Sequence, residues 1–400
     1  MTTSLHEVIQ LAAQHRVVPV IQELFSGAES PVAIFEKVAG TTPGSFLLES
    51  AEHGVWSRYS FIGVNSRGTL SKDSAGQVSW NSSDGHSAFP SDVTGPLPES
   101  ALDALQLLCA SWTSEPIDGL PPLTSGLVGT LAWDIIREIE DLPSAPPSAY
   151  NSPMMVFAMM QDVIVVDHQT SKLLLVSNIF VDDLTQLEAD YENAVARIAA
   201  MRTSLTEPSE PFLATLSGQA ENLDIPNMTE ESFIAAVNEA KHFVRIGDVF
   251  QVVLSQRFDM PTASSALDIY RALRALNPSP YMYLLNFEDA DGPYAVVGSS
   301  PEALVKVNDG HAVTHPIAGS RPRGEDFEAD QAIGEGLLDD AKERAEHLML
   351  VDLARNDLLK VCVPNSVNVT EFMQIHRFSH IMHLVSTVES DLRPGVNPVD

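Results

Sequence analysis

Two apolar runs rich in β-branched residues, 154–167 and 172–181, flank the turn-type stretch Asp167-His168-Gln169-Thr170-Ser171. Runs of this length and composition, so closely linked, suit a pair of adjacent strands. Shorter strand-type runs lie at 44–50, 58–63, 281–287, 294–297, 303–307 and 312–317, with turn residues between them. Parallel neighbours need a long crossover, so strands joined by such short links favour an antiparallel sheet with helices packed on it. The expected class is α+β.

Helices fall between these runs. One is expected over 183–202. Another starts at Thr229, an N-cap residue followed by Glu230 and Glu231 in the first turn. Phe233, Ala236, Val237, Ala240, Phe243 and Val244 then recur at helical spacing, and Gly247 is the expected stop. Residues 250–258 alternate with period two, Phe250, Val252, Leu254 and Phe258 against Gln251, Val253, Ser255 and Arg257, as a strand would. A helix over 267–276 ends at Asn277-Pro278. The polar, Pro- and Gly-punctuated stretch 206–227 reads as a linker, dividing an N-terminal α+β region, 1–205, from a second region, 228–400.

The chain carries 54 acidic against 23 basic residues, a formal net charge of -31. Such a surface repels phosphate backbones and anionic lipid, which argues against nucleic acid or a membrane surface as partner. Any anionic substrate then needs local relief, from a metal ion or from aimed N–H groups. No apolar run is long enough to cross a bilayer, and the N-terminus lacks the basic and apolar regions of a signal peptide. Two cysteines, Cys109 and Cys362, suit a reducing compartment. The expected location is the cytoplasm.

No P-loop, dinucleotide fingerprint, HExxH or GxSxG is present. Four segments stand out instead. In the first, 339–360 reads as a helix on which Glu343 and Glu346 share one face, one turn apart. Two hard oxygen ligands at that spacing suit Mg²⁺, which completes its octahedron with water and substrate oxygens. A solvated acidic face fits the same spacing. The second, Thr314-His315-Pro316-Ile317-Ala318-Gly319-Ser320-Arg321-Pro322-Arg323-Gly324, ends a strand in a loop with a close-approach glycine, a hydroxyl and two arginines. It reads as a carboxylate cradle or as a tight turn. The third places Glu302 just after Pro301, as a positioned proton donor or a water-facing strand-edge residue. The fourth, 377–384, offers His380 and His383 for acid–base work, or as packed histidines.

Taken in order, Val297-Gly298-Ser299-Ser300-Pro301-Glu302, the Pro316 to Gly324 loop, Glu343-Arg344-Ala345-Glu346-His347 with its continuation to Leu358, and 377–384 resemble the successive signatures of the chorismate-utilising enzymes, in particular their anthranilate-forming branch. In the first half the resemblance rests on Leu47-Leu48-Glu49-Ser50, on Gly126-Leu127-Val128-Gly129 and on Trp133-Asp134. The fold it implies has large antiparallel sheets in a layered sandwich with helices outside, the two regions intertwined. It implies that Glu346 is a direct Mg²⁺ ligand with Glu343 beside it, and that Gly319 and Ser320 meet the substrate. Glu302 would protonate the departing ring hydroxyl, and His383 would complete the reaction.

The implied chemistry is addition of ammonia at ring C2 of chorismate, loss of the C4 hydroxyl, and elimination of pyruvate to give anthranilate. Isochorismate-forming relatives have a lysine where this chain has Gln251, and an aminodeoxychorismate branch often has one where it has Ala318; neither amine is present. Ammonia implies a separate glutamine amidotransferase subunit. Glu49-Ser50 and Pro280-Tyr281-Met282 resemble the two halves of a feedback pocket for L-tryptophan. Family members continue past the position of Asp400 through a further substrate-contacting segment and a second pair of metal-site glutamates. A non-catalytic tryptophan-binding or partner-docking fragment is therefore the alternative.

Overall fold

The computed structural model describes residues 2–25, 27, 29–51, 58–113, 116–208, 225–378 and 380–400. In chain order the first half forms α1 (Leu5–Ala12), β1 (Val17–Phe25), α2 (Pro31–Val38), β2 (Phe46–Glu49), β3 (Tyr59–Lys72), β4 (Val78–Asn81), α3 (Ala101–Trp112), β5 (Leu127–Leu131), β6 (Met155–Asp167), β7 (Lys172–Phe180) and α4 (Leu187–Thr206). The second half follows with β8 (Ile225–Pro226), α5 (Glu230–Ile246), β9 (Phe258–Asp259), α6 (Ala266–Leu276), β10 (Tyr281–Asp289), β11 (Gly292–Ser300), β12 (Lys306–Asn308), β13 (His311–Thr314), β14 (Ile317–Pro322), α7 (Phe327–Asp339), α8 (Ala341–Val361), β15 (Asn368–Arg377) and β16 (Ile381–Asp391).

The expected pair is there: β6 and β7 are antiparallel, with Asp167 opposite Lys172. They lie inside a sheet ordered β1-β7-β6-β3-β2-β10-β11, with β4 on β3 and β5 on β6. The architecture is the expected α+β, with large antiparallel sheets and helices. Leu47 of β2 pairs with Leu284 of β10, so one sheet draws strands from both halves of the chain. A second sheet, β12-β13-β16-β14 with β15 on β16, uses β16 as its spine. Leu337 of α7 packs with Met382 and Leu384 of β16, all fully buried. Val351 and Leu358 of α8 pack with Ala312 and Val388. These contacts seat both helices on the second sheet.

By contacts, residues 1–209 with 270–400 form one unit and residues 210–269 another. The 206–227 stretch lies outside the described residues from 209 to 224. In the second unit α5 begins and ends as its caps dictate, with the Thr229 hydroxyl accepting from Ser232 N–H and Gly247 in the left-handed region at φ 83°. None of its apolar residues is buried. The strand expected over 250–258 is not formed. Only Phe258–Asp259 is strand, paired with Ile225–Pro226, while Phe250 and Val253 are 92% and 85% exposed. Alternation specifies a strand only where a neighbouring strand pairs with it, and among the described residues no strand pairs with 250–257; Arg257, at its end, exchanges bonds with Asn227, its carbonyl accepting from Asn227 N–H and its N–H donating to Asn227 Oδ1. Gln251 therefore sits on irregular chain.

The strand expected over 312–317 is two strands, β13 and β14, both paired with β16. Pro316, lacking an N–H, marks the break, and its carbonyl still accepts from Ser386 N–H at 3.1 Å. The strand expected over 303–307 begins only at Lys306. Among the described residues no helix is long and apolar enough to cross a membrane.

Candidate active site

Strand β16 places His383 directly opposite Ser320 of β14, and a bulge between Ala318 and Ser320 leaves Gly319 as the extra residue. Gly319 takes φ 64°, which only glycine adopts at little cost. A Cβ there would stand 3.2 Å from the Leu337 and Leu384 methyls and 3.3 Å from Glu343 Oε2. The bulge thus turns the loop backbone onto the N-terminal turn of α8.

His383 Nδ1 lies 3.1 Å from Ser320 Oγ and 3.3 Å from the Gly319 carbonyl. A carbonyl only accepts, so Nδ1 carries the proton and Nε2 presents a lone pair. Burial pulls the imidazole below its ordinary pKa, against the opposing pull of the Gly319 bond. The ring is therefore neutral at pH 7 and available as a base. Phe378 packs on it edge-on, ring centres 5.6 Å apart.

Asp340 caps α8, its carboxylate accepting from Lys342 N–H and Glu343 N–H, and it holds Arg321 Nη2 at 2.9 Å. Arg321 in turn donates to the Ser320 carbonyl and approaches Glu343 Oε1 at 3.5 Å. Glu343 and Glu346 share a face, as their spacing requires, and Lys342 Nζ stands 3.4 Å from the first and 3.7 Å from the second. The next residue, His347, is fully buried and meets Ser386 Oγ of β16 at 2.6 Å, which ties the helix to the strand carrying His383.

Among the described residues no three His, Cys, Asp or Glu side chains gather as a complete metal site. Two carboxylates with an exposed ammonium between them do match the part of a coordination sphere that protein supplies to Mg²⁺, where water and substrate supply the rest.

Glu302 follows β11, its N–H bonded to Ser300 Oγ. Its surroundings desolvate the carboxyl enough to raise its pKa, although the residue itself is exposed. No hydrogen bond or ion pair among the described residues joins it to the β14–β16–α8 cluster. His380 stands apart from that cluster, its Nε2 3.3 Å from the Leu276 carbonyl.

The two segments read as a regulatory pocket do meet. Glu49 of β2 is opposite Met282 of β10, and Ala51 N–H donates to the Ser279 carbonyl beside Pro280 and Tyr281. Ser50 lies between Glu49 and Ala51. The buried Glu49 carboxylate accepts from Tyr270 Oη at 2.6 Å and from Arg274 Nε and Nη2 at 3.1 and 3.3 Å. Tyr270 and Arg274, four apart on α6, were not singled out by sequence reasoning. Their spacing on one helix face was the available signal.

A strand-borne histidine, a hydroxyl beside it and a carboxylate pair at one helix start lie together in one cluster of an enzyme-like kind, and comparison gives that class a name. Residues 45–400 match the model of the chorismate binding enzymes, and the chain belongs to that family. Within it, the chain is 44% identical over 410 residues to "Anthranilate synthase component 1" of Arthrobacter globiformis, covering 100% of this chain and 75% of that protein. Its identity to the protein of the same name from Mycobacterium tuberculosis is 43% over 405 residues, covering 77% of that protein. The crystal structure of anthranilate synthase component I from Streptococcus pneumoniae superposes with TM-score 0.69 at 28% identity, over 94% of this chain and 77% of that one. The menaquinone-specific isochorismate synthase of Escherichia coli, at 14% identity and TM-score 0.58, shares the fold.

Proposed function

We propose that this chain is the chorismate-converting component of a two-component anthranilate synthase, a lyase forming anthranilate and pyruvate from chorismate and ammonia. One observation carries the reading: Glu343 Oε2 comes within 3.3 Å of the Cβ position of Gly319, so the cation-holding helix and the substrate-facing bulge meet at one place. Magnesium held by Glu346 and Glu343 would neutralise a ring carboxylate that the acidic protein otherwise repels. Gly319 and Ser320 position the substrate. Glu302, its pKa raised, protonates the departing C4 hydroxyl after ammonia adds at C2. His383 Nε2 takes the ring proton lost as pyruvate leaves and the ring aromatises.

Ammonia comes from a glutamine amidotransferase subunit in this reading. L-Tryptophan inhibits from the pocket of Glu49, Ser50, Pro280, Tyr281 and Met282. Gln251 and Ala318, in place of lysines, favour free ammonia as the nitrogen source. Both cysteines are free thiols, which supports a cytoplasmic location.

The test supplies the protein with chorismate, an ammonium salt and Mg²⁺ and follows anthranilate by its fluorescence. Product should form only with the divalent cation. Glu346→Gln should cost at least about 100-fold in turnover, about 2.7 kcal/mol of transition-state stabilisation. Unchanged turnover and cation dependence in that variant would refute the proposal.

A further inference from the structure

Between helix α4 and strands β3, β6 and β7 lies a cleft of about 650 Å³ that shares no residue with the site on β14, β16 and α8. One face of α4 supplies Asp190, Asn193, Arg197 and Ala200. The strands contribute Arg67, with Ile179 and Phe180 as apolar wall.

Arg67 is held in an unusual way for a cation in so acidic a protein. Its guanidinium carbon stands 5.3 Å from the centre of the Trp112 ring and 4.7 Å from that of Phe180, the two rings packing edge-on at 5.2 Å. Rings fix the plane of the guanidinium but use none of its N–H groups. Among the described residues it makes no hydrogen bond or ion pair, and its Nε is buried without a partner. Asn178 Oδ1, in the same lining, is also buried and unpartnered.

Asp190 mirrors Arg67 in sign. Its carboxylate has no hydrogen bond or ion pair among the described residues. Burial raises its pKa, although the charges of Arg197 and Arg67 oppose that shift. Arg197, by contrast, is already engaged, with Nε 3.0 Å from both Asp162 Oδ1 and Ser177 Oγ and Nη2 3.2 Å from the Asn178 carbonyl. A cation and an anion thus line one cleft, within reach of each other's field, without closing on each other. Leaving both desolvated and unpaired costs stability that a ligand bearing both charges would return. A simple anion would meet Asp84 and Asp190 in the lining, and a simple cation would meet Arg67 and Arg197.

We propose that this cleft binds a small zwitterion of the α-amino-acid type, its carboxylate on the Arg67 guanidinium and its ammonium on the Asp190 carboxylate. The planar guanidinium suits bidentate capture of a carboxylate. Pro43, Ile179 and Phe180 give an apolar side chain somewhere to lie. The volume exceeds what a bare glycine-sized ligand would fill.

The test is calorimetric titration of the protein with three probes of matched shape: L-phenylalanine, 3-phenylpropionate with the carboxylate alone, and phenethylamine with the ammonium alone. L-Phenylalanine should bind saturably and at least about tenfold more tightly than either half-probe. Arg67→Gln and Asp190→Asn should each weaken it about tenfold or more. Asp190→Asn removes an unpaired carboxylate, so its thermal unfolding should be unchanged or later, which separates lost binding from lost fold. Ser50→Phe, in the other pocket, should leave the binding as it was. The proposal is overturned by absence of saturable binding, by a half-probe that binds as tightly as L-phenylalanine, by binding indifferent to both cleft variants, or by binding lost in Ser50→Phe.

Discussion

Replacing Tyr270 by phenylalanine isolates one hydrogen bond. The ring is fully buried, and phenylalanine fills its volume, so the change opens almost no cavity. What disappears is a 2.6 Å bond from the hydroxyl to the Glu49 carboxylate, while Arg274 keeps its hold on both oxygens. A bond to a charged acceptor contributes about 1.5–3 kcal/mol, and the variant should be less stable by that amount at pH 8. The pH dependence sharpens the test. Burial first, then the Glu49 charge and the bond itself, hold the phenol far above its ordinary value of 10.0. The folded state therefore keeps a proton that the unfolded chain releases near pH 10. A group raised on folding contributes its full stability below the unfolded pKa and loses it as pH rises toward the folded one. The advantage of the native protein over Tyr270→Phe should stay constant to pH 9, then shrink by about 1.4 kcal/mol per pH unit above 10. Urea unfolding followed by circular dichroism at pH 8, 9, 10.5 and 11 measures both. A gap absent at pH 8, or flat through pH 11, would refute the account.

Gly319→Ala should cost about 1–2 kcal/mol in urea unfolding from left-handed strain alone. The 3.2 Å contacts with Leu337 and Leu384 should add to that cost. His383→Asn should lower turnover by about 10²–10⁴-fold. The native kcat/KM should rise with pH through an apparent pKa below the ordinary histidine value, because burial lowers it, and that limb should vanish in the variant. Ser50→Phe should abolish inhibition of anthranilate formation by tryptophan; inhibition that persists unchanged would place the regulatory site elsewhere.

Much of the chain was legible where local chemistry decides the outcome. Thr229 and Gly247 bracket α5 as their capping roles require, and the composition of 154–181 specifies its two strands. Helix α7 was missed because Gly334 and Gly336 lie inside it and weaken its helical signal. The 250–258 alternation misled because a strand needs a neighbour that alternation does not supply. At the site, the types of Gly319, Ser320, Glu343, Glu346 and His383 were readable from their motifs. Their meeting depends on the β14–β16 register and the seat of α8, which are matters of pairing between distant segments. Glu49's partners on α6 were hidden for the same reason.

The register of Leu47 with Leu284 has a consequence for biosynthesis. A ribosome releases the first half of the chain long before the partner for β2 exists, so that strand's edge stays open to stray pairing throughout the interval. Closing a loop of that span is slow, and the nascent protein is at its most aggregation-prone just before β10 emerges. A cell making this chain in quantity therefore has reason to shield that edge with a chaperone until β10 has emerged from the ribosome.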